Sequence, residues 1–415
     1  MKDTTIGFSQ EFYSDNRRRL RELYADTSAP IVLTANGQLQ RNGDNAFRFR
    51  QDSNFWYLTG VDHPDVALVM DGDDEYLIVP ERDVIRETFD GSIDPEALKR
   101  SSGVAEVLVD EDGWKRLGKR LKSSKRAGVL APSPGYIEWY GLYSNPARAR
   151  LEAKIKSYNS KIEFIDLRDE MMQLRVIKKP TEIAAIQHAI DVTIDGLQYV
   201  TDKHRLAGYE HEYEVEGDLT ARFRRRNCGH SFDPIVAGGM RACQMHNTDN
   251  IGDLNRNELL LFDVGAEYKL YAADISRTIS LNGNPSERQQ AVHAAVCAAQ
   301  DYAYTLLKPG TVNQEYEKQM EAFMGEKLRE LGVIEGSTSE EIRKYFPHMV
   351  SHFLGLDAHD VGDYSKPMRP GMVLVCEPGI YIPEEGIGVR IEDCVLITET
   401  GCEVLSRALS RDITA

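Results

Sequence analysis

Apolar residues fall into two rhythms along this chain, and the change between them marks its organisation. In the first part, short runs such as "APIVLTANG" and "VALVMDGDDEYLIVP" predict strands, the second a hairpin turning at Asp71-Gly72. They alternate with "DEDGWKRLGKRLKSS" and "SNPARARLEAKIKSY", which predict helices, the latter with Pro146 near its start. A further strand, "KIEFIDL", leads into the charged stretch "RDEMMQLRVIKKPTE", where we set a boundary between domains 1–168 and 169–415. From Pro180 onward Ile183, Ile186, Ile190, Ile194 and Leu197 recur on one face of a helix. Another helix runs from a Ser286 cap to a Pro309-Gly310 stop. Around these helices lie "LLLFDVGAEYKLYAADISRT" (259–278), "MVLVCEPGIYI" and "GVRIEDCVLITET", which read as strands. The pattern predicts an α+β chain whose first domain is a smaller mixed α/β unit.

Several of these apolar strands carry a carboxylate where a core residue is expected. Asp263 follows four apolar residues, and Asp274 follows Tyr271-Ala272-Ala273. A turn centred on Tyr268-Lys269 sets the two aspartates directly opposite, with Cβ atoms ~5 Å apart. Like charges so placed are destabilising unless a cation lies between them. Against that register, a two-residue hairpin favours Gly or Asn, and "EYKLY" has neither. A solvated, turn-flanking pair is the bland alternative.

Other segments add to the set. "SHFLGLDAHDVG" embeds His352 and His359 among apolar residues, although a lone histidine there is more often a satisfied core residue. "VLVCEPG" drives Glu377 to the end of an apolar strand stopped by Pro378-Gly379. "GVRIEDCVLI" puts Glu392 in a strand, with Arg390 on the same face by alternation. Two Asp, two Glu and one His suit two divalent ions that share bridging carboxylates. Such a pair can hold a hydroxide nucleophile and polarise a carbonyl oxygen.

Charge and composition narrow the partners. The formal net charge of −16 argues against a polyanion, because nucleic-acid affinity rests on phosphate neutralisation. The basic runs "NRRRLREL" and "FRRRNCG" are short and read as solvated helix faces. No apolar run approaches the ~18 residues that span a bilayer. "MKDTTIGFSQEFYSDNRRRL" has no apolar core of a secretory leader, so a cytoplasmic protein is expected. The six cysteines lie in the second half without a C-x-x-C pair, which reads as free thiols in a reducing compartment.

D-x-G-x(8)-D-x-x-R-T, then H-F-L-G-L-D-x-H-D-V-G, then E-P-G and R-I-E-D, resemble the M24 metallopeptidases of pita-bread fold. "RFRQDSNFWYLTGVDHPDVALVM" and "FDPIVAGGMRACQMHNTDN" are similar to the aminopeptidase P (Xaa-Pro aminopeptidase) branch, so the likeness covers nearly the whole chain. The resemblance implies a dinuclear metal centre on Asp263, Asp274, His352, Glu377 and Glu392, with Asp274 and Glu392 bridging. It implies that Glu377 also relays the proton of the attacking water. His246 then assists proton transfer and substrate contact, and His359 meets the scissile amide region. Arg390 and Tyr381 match residues that support the ligand strands. Two Mn(II) ions suit the carboxylate-heavy set, with Zn, Co and Fe(II) as alternatives. Peptides with proline at the second position are the expected substrates, and a homo-dimer or homo-tetramer joined through the N-terminal domain is the expected assembly.

Met349, Asn247 and the turn "YKLYAAD" depart from the branch's usual pattern, none of them at a matched ligand. Two other functions fit the sequence less well. A prolidase, restricted to dipeptides, usually carries extra chain between the E-P-G and R-I-E-D strands, whereas "EPGIYIPEEGIGVRIED" is short. A creatinase-like hydrolase or binding adaptor would lose ligands, and all five matched positions are kept.

Overall fold

The computed structural model describes residues 7–132, 137 and 140–414. The chain divides into two compact units, Met1–Leu174 and Arg175–Ala415. The boundary expected after residue 168 falls at the first residue of the helix Arg168–Arg175, whereas the division falls at its end, between Leu174 and Arg175. Met171 and Leu174 of that helix are buried, and the Tyr57 hydroxyl donates to the Leu174 carbonyl at 3.2 Å. Packing, rather than the charge of the stretch, assigns the helix to the first unit.

The first unit is built on a six-stranded sheet. Its order is Glu106–Val109, Asp74–Val79, Ala67–Asp71, Ile31–Thr34, Arg126–Val129, Glu163–Asp166. The hairpin expected at Asp71-Gly72 is present, with Asp71 paired to Asp74 and Gly72 at φ 63. Ile31–Thr34 is antiparallel to Ala67–Asp71 and parallel to Arg126–Val129, as mixed α/β connections require. Val32, Val69, Ile78, Leu117, Leu121 and Ile155 pack as its core.

The second unit packs helices against small antiparallel sheets. Ser286 caps the helix Glu287–Leu306 by accepting from the Gln289 N–H. Val292, Val296, Ala299 and Ala303 of that helix, with Tyr316, Met320, Met324 and Leu328 of Asn313–Glu330, cover Leu374, Ile380, Val389 and Val395. Burial of each large side chain there contributes roughly 1.5–3 kcal/mol. Ile186, Ile190, Ile194 and Leu197 of Pro180–Val200 are buried as their spacing predicts.

One register differs from expectation. Leu259–Val264 pairs with Ile275–Ser280 so that Asp263 faces Ser276, not Asp274. The turn lies one residue later, at Lys269-Leu270, both in the left-handed region (φ 51 and 65), between Tyr268 and its partner Tyr271. Neither residue favours that conformation, so local sequence gave no sign of it. Tertiary contacts select it instead: both tyrosines are buried, and the Tyr271 hydroxyl donates to Glu182 at 2.9 Å. The partner moves by two positions, which preserves the face. Asp274 is therefore diagonal to Asp263 rather than opposite it.

Candidate metal centre

Three of the carboxylates named from the sequence sit where one strand ladder ends and the next begins. Asp274 lies between Tyr271–Ala272 and Ile275–Ser280, and Glu377 between Val373–Cys376 and Gly379–Ile382. Glu392 occupies the break between Ile387–Arg390 and Asp393–Ile397, not a strand interior as expected. At such breaks a side chain can leave the sheet face without disturbing ladder hydrogen bonds. Gly265 lets the chains cross here, since a Cβ on it would lie 1.8 Å from the Ala273 carbonyl oxygen.

These breaks converge. Ligand-type atoms of Asp274, His352 and Glu392 all lie within 4.8 Å of one another, and all three residues are buried. His352 Nε2 is 3.7 Å from Asp274 Oδ2 and 3.7 Å from Glu377 Oε1. Its Nδ1 faces the Phe353 carbonyl at 3.1 Å, which assigns the proton to Nδ1 and leaves the Nε2 lone pair toward the carboxylates. Burial, then His359, lowers His352 to about 3, so the ring is neutral at pH 7.

Asp263 completes the group. Its Oδ2 accepts from Arg390 Nη2 at 2.6 Å, while its Oδ1 is buried without a hydrogen-bond partner. Arg390 also donates to Ser276 Oγ (2.9 Å) and to Tyr381 Oη (2.8 Å). Ser276 Oγ donates in turn to Glu392 Oε2 at 2.8 Å, so Arg390 and Glu392 meet at one hydroxyl. Burial, then the Glu392 charge, raises Asp274 and Glu377 well above the usual carboxylate range. Burial and Asp263 push Glu392 up to about 8.

Four carboxylates thus face one guanidinium, and one buried oxygen has no partner. Protein donors do not balance this set. Divalent cations fit it: hard oxygen ligands, one neutral imidazole, and negative charge in excess.

The remaining residues named from the sequence lie around this group. His359 is exposed and stacks on His352, centroids 4.1 Å apart and planes 17° apart. His246 is exposed and within electrostatic reach of His359. Tyr381 is buried between Arg390 and His348, whose Nε2 is 2.8 Å from its hydroxyl.

His348 is a site residue that the sequence reading does not name. Its Nδ1 donates to the Met349 carbonyl (2.8 Å) and lies 3.7 Å from Glu377 Oε2. A signal existed, because residues four apart in an extended segment share a face and His352 is four further on. Glu317 gave no signal. It reaches in from Asn313–Glu330 and accepts from the Val350 and Ser351 N–H groups at 3.0 and 3.2 Å, fixing the segment between the two histidines.

Comparison with known proteins agrees with this fold. Residues 184–399 match metallopeptidase family M24, and residues 13–130 match the N-terminal domain of aminopeptidase P. The chain belongs to the M24 metallopeptidases, a two-domain α+β protein whose second domain is of pita-bread type. Within that family its relatives are Xaa-Pro aminopeptidases. The one from Haemophilus influenzae is 32% identical, covering 97% of this chain and 96% of its own. Proline aminopeptidase P II of Yersinia pestis superposes with a TM-score of 0.84 at 30% identity, covering 98% of both chains. Aminopeptidase P of E. coli, solved with the inhibitor Pro-Leu and also zinc-substituted with product, gives TM-scores of 0.85 and 0.84 at 29% identity. Those alignments cover 98% of this chain and 97% of that one.

Proposed function

We propose that this protein is a metallo-aminopeptidase that hydrolyses the bond between an N-terminal residue and a penultimate proline. The observation that carries the reading is the convergence of Asp263, Asp274, His352, Glu377 and Glu392 with more negative charge than the chain neutralises. These five residues would hold two divalent ions. Mn(II) suits the oxygen-rich set, and Zn, Co or Fe(II) compete for it. Bound there, the ions supply a Lewis acid for the scissile carbonyl and lower the pKa of a water.

The chain's own groups handle the protons. Burial and the Glu392 charge make Glu377 a stronger base than an ordinary carboxylate. It takes the proton released as water attacks and delivers it to the departing proline nitrogen. That nitrogen, a tertiary amide without N–H, must be protonated to leave. His359, stacked on His352, contacts the scissile amide and steadies the charge that develops. His246 assists proton transfer and meets the substrate. Arg390, through Tyr381 and Asp263, fixes the ligand strands.

Longer peptides enter, because the connection after Ile382 is the short turn Pro383–Glu385. That turn is pinned to neighbouring helices, with Glu385 bound to Arg288 at 2.6 and 2.7 Å and Glu384 to Lys344 at 2.8 Å. Six free cysteines support a reducing, cytoplasmic setting, and no helix among the described residues is long and apolar enough to cross a membrane. Exposed Val84, Ile85 and Phe89 on Val84–Asp90 support assembly of copies through the N-terminal unit. The test is metal-reconstituted apoprotein assayed on an Xaa-Pro dipeptide and on the same sequence extended by two residues. Cleavage of the longer peptide at least as fast is expected; strict dipeptide preference would make the protein a prolidase.

A further inference from the structure

The helix Glu212–Arg225 opens with a carboxylate that the reaction above does not use. Glu212 is fully buried. Its Oε1 accepts from the Gly238 N–H and from Arg241 Nε, each at 2.7 Å. Its Oε2 accepts from the Gly252 N–H at 2.8 Å, while its own N–H donates to the Gly252 carbonyl at 3.0 Å. Gly238 ends the strand Ile235–Gly238, and Gly252 lies on the returning chain. Between them run the short helical turn Gly239–Cys243 and His246. One side chain therefore closes the base of the segment that carries His246. The closure is tight: a Cβ at Gly252 would lie 2.0 Å from Arg241 Nε.

A second rung repeats the arrangement one helical turn on. Glu216, on the same helix face as Glu212, accepts from Asn250 Nδ2 at 2.9 Å. Asn250 is buried in the left-handed region (φ 49). It accepts from the Val236 N–H at 2.9 Å and donates to the Pro234 carbonyl at 2.8 Å. The segment is thus held at both ends to one helix, while His246 between them is exposed.

We propose that Glu212 is a positioning residue that sets where His246 stands beside His359, by clamping the two ends of the 238–252 segment together. The inference rests on the role given to His246 above. Three donors converge on one carboxylate, and such charge-assisted bonds are about twice as strong as neutral ones. A Gln at this position keeps the shape but turns an NH2 group against one of the three donors. The segment is then released at one end, and misplacing a catalytic group by ~1 Å costs up to about 10²-fold in rate.

The test is a double-mutant cycle on the metal-loaded enzyme with an Xaa-Pro tripeptide. Glu212→Gln should lower kcat by about 10- to 10²-fold with KM little changed and bound metal, read by elemental analysis, unchanged. In a His246→Ala background the same substitution should cost nothing further, because the group it positions is gone. Full activity of Glu212→Gln, or an undiminished loss in the His246→Ala background, would overturn the clamp while leaving the role of His246 intact. A silent His246→Ala withdraws that role, and the clamp with it. If Glu212→Gln does not fold, Arg241→Lys removes one donor from the same carboxylate and is judged in the same cycle by the same results.

Discussion

Among the buried charges of residues 175–415, two groups are built on opposite principles. In the first, Asp360 meets Arg175 and Lys178, with Lys178 Nζ at 3.0 Å, and Arg175 also reaches Asp357 at 2.7 Å. The Arg175, Lys178 and Asp360 side chains are at most 2% exposed, and opposite charges are matched. In the second, Asp263, Asp274, Glu377 and Glu392 share Arg390 alone among the charged partners described. The matched group holds together the turn that carries His359. The unmatched group is held together by its surroundings and finds too little positive charge within the polypeptide. Balance, more than burial, separates a charge kept for architecture from one kept for chemistry.

The comparison is broken most directly at Asp274. Asp274→Asn should lose bound metal, and hydrolysis should fall by more than the roughly 10²–10³-fold that one electrostatic donor is worth. The metal-free variant should resist urea at least as well as the metal-free parent, since a like charge has been removed. Two equivalents of metal retained in elemental analysis would end the assignment.

His359 stands at the seam between the two groups, next to Asp360 in sequence and stacked on His352. His359→Ala should keep metal yet lose about 10²–10⁴-fold in kcat. Loss of metal instead would make it a member of the unmatched group. Within the matched group, Asp360→Ala leaves two buried cations short of a partner and should cost about 3–5 kcal/mol in urea denaturation. An unchanged midpoint there would erase the contrast with Asp274.

The smallest effect is one of pH. Glu392, raised from 4.5 to about 8, binds more protons folded than unfolded, so it draws stability down as pH climbs between those values. His352 and His348, lowered to about 3 and about 4, act in the opposite sense, but only up to their unfolded value of 6.5. From about pH 6.5 to about 8 the carboxylate effect is unopposed. Metal-free protein should lose thermal stability across that window, and metal-loaded protein should lose less. Glu317, raised to about 7, adds the same slope to both forms and cancels in the difference. Parallel curves would show that metal does not occupy these carboxylates.

Much of this architecture was legible in the sequence, and what was not has physical causes. The helices at 180–200 and 287–306 and the hairpin at Asp71-Gly72 follow from periodicity and local turn chemistry. The Lys269-Leu270 turn does not, because buried Tyr268 and Tyr271 select it against local preference. The residues gathered around His352 stood out because carboxylates interrupt apolar runs. Asp360 did not stand out, since the cations that match it come from 175 and 178, far along the chain. Glu212 and Glu317 were hidden for a related reason: most of their partners are backbone N–H groups, which leave no mark in a sequence.

The placement of Asp274, Glu377 and Glu392 at interruptions between strand ladders bears on inheritance. None of the three spends its side chain on the apolar core, and each carries a charge that its neighbours disfavour. In a lineage released from selection for hydrolysis, replacements at these positions would meet a lower stability barrier than changes in the helices behind them and would accumulate first. The scaffold can therefore outlive its reaction and pass, folded and soluble enough to be tried, to descendants that bind peptides without cutting them.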